Sequence, residues 1–159
     1  MNATKAAFEA LSASLKADLA HGDRYVSQLA TWKQAPPSGY AISAAAMLLH
    51  HLYGAIEAIA ERALKTFEGV TPKGEASHVE VLERASKEVA GLRPAILPQS
   101  SAIDELRRFR HRFRKRYDVD LEIEQLHPVI QSAIDAWPQI RASLAAFGAF
   151  VDECAKAAG

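Results

Sequence analysis

Between Leu106 and Tyr117 the chain reads Leu-Arg-Arg-Phe-Arg-His-Arg-Phe-Arg-Lys-Arg-Tyr, so six of its 11 arginines fall in one short stretch with His111 and Lys115. Like charges three and four residues apart repel along a helix, so helix stability gives no reason for such a run. Chemistry does. Arginine grips phosphate in a planar fork, histidine exchanges protons near neutral pH, and tyrosine donates to or stacks on a nucleotide. That set suits phosphodiester chemistry on single-stranded RNA.

Helical spacing sorts these residues. Ile103, Leu106, Arg110, Phe113 and Tyr117 follow a three-four-three-four repeat, which puts Arg110 in a seam slot that normally takes an apolar side chain. A guanidinium there must meet either a carboxylate from another helix or a groove open to an anion, because burying it unpaired is costly. Arg107, His111 and Arg114 form the adjacent row. Arg108, Arg112 and Lys115 point further round, toward solvent.

Helical periodicity dominates the segments that must position this row. A first helix is expected from about Ala3 to Lys33, ended by Pro36 and Pro37. A second, from Ile42 to Phe67, carries Ala45, Leu49, Leu52, Ile56, Ile59 and Ala63 at seam spacing. A shorter helix is expected from Ala76 to Val89, followed by a loop from Gly91 to Gln99 that contains Pro94 and Pro98. The basic helix should start near Ser100 or Ser101 and reach Tyr117. The last stretch runs from Asp120 to about Lys156, with Pro128 and Pro138 expected to start a segment or kink it. No alternating strand pattern stands out. The expected fold is all-α: an up-and-down bundle of four long helices plus one shorter helix, as one unit over residues 1–159.

The bulk properties frame this without deciding it. Net charge is zero over 159 residues, so any nucleic-acid signal must be local. The one cysteine, Cys154, excludes an internal disulfide and fits a reducing compartment. The N-terminal stretch is broken by charges where a signal peptide would be apolar, and no window reaches about 18 uncharged apolar residues, so a cytoplasmic protein without a membrane segment is expected. His50 and His51 are adjacent and cannot chelate one ion together. His78 and His127 read as local, and Trp32 and Trp137 as core or interface anchors. Glu57 and Glu61, one turn apart, lack histidines at the spacing a paired-carboxylate metal centre needs. No metal and no cofactor is expected.

Three features together resemble the HepT-like branch of the HEPN superfamily. These are the Arg-Pro-apolar loop at Leu92 to Leu97, the helix bearing Phe109-Arg110-His111, and Tyr117 followed by Asp118, Val119, Asp120 and Leu121. Ala55 to Ile59 is in keeping with that family's second helix. The resemblance implies a homodimeric helical bundle that cuts RNA without a metal and pairs with a nucleotidyltransferase-like antitoxin. The family signature is Arg, four residues, His, one residue, Tyr. Arg110 takes the Arg place and Tyr117 the Tyr place, but Lys115 stands in the His place. Three readings follow: His111 transfers the proton while Arg110 and Arg114 hold phosphate; Lys115 serves as the acid; or the chain is a binding module without catalysis. Arg107 and Lys115 would add phosphate contacts. The resemblance also makes Tyr117 a candidate for AMP addition, which would put negative charge among the arginines and close the groove.

Overall fold

The computed structural model describes residues 3–115 and 122–159, and among them the backbone forms five α-helices, one 3-10 turn and no strand. The helices are α1 (Lys5–Leu29), α2 (Ala41–Glu68), α3 (Ser77–Ala85), α4 (Ser101–Lys115) and α5 (Ile123–Ala157), with the 3-10 turn at Ala30–Trp32 after α1. The all-α bundle expected from periodicity is therefore observed.

Local chemistry sets the ends. Thr4 caps α1, its hydroxyl oxygen accepting the Ala7 N–H at 3.2 Å. Gly69, at φ +66°, closes α2 in the left-handed conformation and donates to the Lys65 carbonyl at 3.1 Å. Helix α3 stops at Ala85, short of the Val89 that periodicity pointed to. The Ile96 and Leu97 N–H groups take the Ala85 carbonyl at 2.8 and 3.1 Å, and Val89 pairs with Arg93 across a tight turn at Gly91, φ +75°.

Arg93 ties that turn to the bundle. Its side chain is fully buried, and its donors reach Glu68 Oε2 from Nε and Nη2, the Lys87 and Pro94 carbonyls from Nη1, and the Arg84 carbonyl from Nη2. All five guanidinium N–H groups are used. The Arg-Pro loop noticed in the sequence is thus a structural clasp between the C-terminal ends of α2 and α3.

α1 lies along both α2 and α5, while α3 and α4 pack on α2 and α4 also touches α5. Every seam residue expected on α2 is buried, as are Leu11, Leu15, Leu19 and Leu29 of α1 and Leu126, Ile130, Trp137, Ile140, Leu144, Phe147 and Val151 of α5. Among the described residues α2 is the one helix with the length and mean hydropathy of a membrane span; Glu57 interrupts its apolar run, and its apolar side is the one packed in the core.

α5 runs unbroken through Pro128 and Pro138 for 35 residues, about 52 Å at 1.5 Å per residue. Neither proline starts a segment. Each removes one backbone hydrogen bond, costing about 3 kcal/mol. Burial of Leu126, Val129, Ile130, Trp137 and Ile140 around them contributes about 1.5–3 kcal/mol per large side chain, so packing wins. His127 is not local either: its Nε2 lies 2.9 Å from the Trp32 carbonyl, beside Gln131 donating to the Lys33 carbonyl at 3.1 Å. These two contacts fasten the exit of α1 to α5.

Candidate functional site

α4 is seated by its apolar face. Ala102, Ile103, Leu106 and Phe109 are buried, and Phe109 stacks with Phe113 at 5.9 Å between ring centroids. Phe113 meets His50 at 6.0 Å, His50 meets His51 at 5.8 Å, and His51 stacks on Tyr25 at 5.7 Å. This ring ladder joins α4 to α2 and α1. The adjacent histidines are packing groups within it.

One residue along the helix from Phe109, Arg110 lies over α2 with its side chain 18% exposed. Of the two fates a seam guanidinium can have, it shows both. Its Nη1 donates to Glu57 Oε1 at 3.3 Å, its charge sits 5.5 Å from the centre of the Tyr53 ring, and it lines an open cleft. Its Nε is buried and has no hydrogen-bond partner among the described residues.

Glu57 is the hub. Only 6% exposed, it accepts the Tyr53 hydroxyl proton on Oε2 at 2.7 Å, and His78 Nδ1 approaches the same oxygen at 2.5 Å. His78 Nδ1 also lies 3.4 Å from Arg110 Nη1. Both cannot be hydrogen bonds in one tautomer, since Arg only donates. The shorter contact decides: Nδ1 carries the proton and donates a hydrogen bond to Glu57, and Arg110 is a charged neighbour. Burial, then the hydrogen bond to Glu57 and its negative charge, pushes the Tyr53 phenol far up, so it stays a donor. Glu61, one turn on, is raised above the ordinary carboxylate range by desolvation and then by the charge of Glu57.

Above this cluster opens a cleft of about 610 Å³, lined by Tyr53, His78, Arg107, Arg110 and His111 together with Arg108 and Arg112. Arg107 is partly tethered, its Nε and Nη2 3.0 and 2.9 Å from Asp104 Oδ1, and Arg108 Nη1 reaches Asp104 Oδ2 at 3.0 Å. The structure gathers Arg107, Arg110 and His111 on one cleft. It adds Arg108 and Arg112, which are exposed as the spacing indicated but still border the cavity. Tyr117 lies outside the described residues, and the side chains of Arg114 and Lys115 are outside the description as well. No group of three or more His, Cys, Asp or Glu is placed for a metal ion among the described residues.

Local spacing alone does not bring His78, Glu57 and Tyr53 to the site. His78 is not a local residue: it comes from α3 to meet a carboxylate on α2 and a guanidinium on α4. Sequence spacing relates Glu57 only to Glu61, one turn on. One signal was present, a lone acid between Ile56 and Ile59 on the most apolar helix, which a buried charge partner must explain.

The described residues thus form an all-helical bundle with a cleft walled by the arginines of one helix, above a buried carboxylate. Against protein-family models, residues 44–151 match the HepT-like protein family. The chain belongs to that family. No curated protein matches the chain, and no solved structure does.

Proposed function

We propose that the chain is the toxin half of a HEPN–nucleotidyltransferase pair, an endoribonuclease that cuts RNA without needing a metal. The observation that carries this reading is the cleft itself: four arginines and two histidines face one cavity, with Arg110 held at its floor by Glu57. A single-stranded phosphodiester fits such a surface, because guanidinium forks neutralise its phosphates and the open side admits unstacked bases. On this reading Arg110 and Arg107 bind phosphate with Arg114 and Lys115, and His111 takes part in proton transfer. The protein acts as a homodimer in the cytoplasm, and a nucleotidyltransferase-like antitoxin silences it by adding AMP at Tyr117. The carry-over of the family's motif to Arg110 and Tyr117 supports this, while Lys115 occupies the place of the family histidine.

A second reading has its own observation. Arg110 is already paired with Glu57, as it would be in a member of the fold that binds RNA or a nucleotidyltransferase without cutting. Incubating purified protein with RNA in EDTA separates the two. The enzyme reading expects cleavage to 2′,3′-cyclic phosphate ends and a loss of roughly 100-fold or more in Arg110→Ala. RNA left intact, with or without EDTA, means the binding module is correct.

A further inference from the structure

We infer that His78, oriented by Glu57, is the proton-transfer base of this cleft, a role for a helix that lies outside the arginine-rich segment. The inference rests on the ribonuclease reading above and deepens it. Three observations converge. First, His78 Nδ1 is engaged by Glu57 Oε2 at 2.5 Å, which fixes the tautomer and leaves Nε2 as the nitrogen free to accept a proton. Second, His78 lines the same cavity as Arg110 and His111, with its side chain 35% exposed, so solvent and substrate reach it. Third, Glu57 is held as a hydrogen-bond acceptor by Tyr53 and Arg110, whose donors bracket its two oxygens at 2.7 and 3.3 Å. A carboxylate so fixed steadies an imidazolium formed beside it, as a third group does for any oriented base.

The step balances with groups of this chain. His78 Nε2 takes the proton of the ribose 2′-hydroxyl, and the freed oxygen attacks the adjacent phosphorus. The 2′-O–P bond forms and the P–O5′ bond breaks. The 5′ oxygen leaves with a proton from the imidazolium of His111, and both histidines re-equilibrate with water. Arg110 neutralises the charge that builds on the non-bridging phosphate oxygens. No redox partner enters.

The test uses the full chain in EDTA, with a random-sequence oligoribonucleotide pool as substrate and the 2′-O-methylated pool as an uncleavable ligand. His78→Ala is expected to lower kcat by about 10²–10⁴-fold, with affinity for the methylated pool within about twofold of wild type. Added imidazole should restore part of the activity of His78→Gly. Glu57→Gln should lower kcat with KM little changed, a split that lost packing alone would not produce. Circular-dichroism melts check that each variant is folded, and His78→Gln stands in if His78→Ala is not. If His78→Ala keeps its kcat while His111→Ala loses it, this assignment is overturned and the ribonuclease reading stands. Equal loss of binding and activity, without imidazole rescue, overturns it in favour of a structural role. A wild-type protein that leaves the pool intact brings down the ribonuclease reading itself and this assignment with it.

Discussion

At the scale of single residues, the network around Glu57 makes demands that stability measurements can check. Its carboxylate is buried and answers Tyr53, His78 and Arg110. Removing one member of a buried charged pair costs about 3–5 kcal/mol, because the partner is left unpaired. Glu57→Ala should therefore destabilise the protein by about 3 kcal/mol, measured as the urea midpoint at constant slope. Glu57→Ala combined with Arg110→Ala should cost less than the sum of the two single changes, because the pair is coupled; strict additivity would mean the contact carries no energy. Cys154 shows the opposite environment. Its thiol is pushed up by burial and then by the charge of Glu153, which disfavours the reactive thiolate.

At the scale of elements, α1 and α5 are fastened by polar clasps as well as by their apolar seam. Trp137 Nε1 and Arg141 Nε both donate to Asp23 Oδ1 at 2.9 Å, and Asp152 accepts from Ser12 and, at 3.1 Å, from Lys16. Asp23 is held below the ordinary aspartate range chiefly by its hydrogen bond from Arg141, and Asp152 chiefly by that from Ser12. A depressed folded-state value means this stabilisation is present above the unfolded value and is lost as pH falls toward the folded one. The Tm should drop between about pH 5 and pH 2, and Asp23→Asn with Asp152→Asn should flatten that drop. Both carboxylates are partly exposed, so solvent screening keeps the effect modest. Gly22 is a point of close approach in the same interface. A Cβ there would lie 2.4 Å from Cη2 of Trp137, and Gly22→Ala should cost about 1–3 kcal/mol by overpacking. An unchanged melting curve would show that the Trp137 ring can move aside.

At the scale of the whole molecule, a chain of zero net charge sets four arginines on one cleft, so binding should report local charge. For single-stranded RNA, log K falls with log salt at a slope of about 0.7 per neutralised phosphate. On the proposed reading, Arg112→Ala should weaken binding across sequences and reduce the slope magnitude by about that amount. Filter-binding titrations at several salt concentrations would measure it, and an unaltered slope would place Arg112 off the RNA path.

The helical class, the seam residues of α2 and the unusual seam position of Arg110 were legible in the chain by itself, because each depends on a repeat that one helix carries within its own sequence. The arginine run announced a basic surface for the same reason. What no local pattern held was the partner of Arg110, since Glu57 is 53 residues away and His78 comes from a third helix. Likewise Arg93 looked like part of a loop motif until folding surrounded it with Glu68 and three carbonyls, and α5 runs on through two prolines that local rules read as a start or a kink. Only tertiary packing brings such groups within a few ångströms. Burial then makes their pairing obligatory, because an unpaired charge in the core costs more than any helical preference supplies.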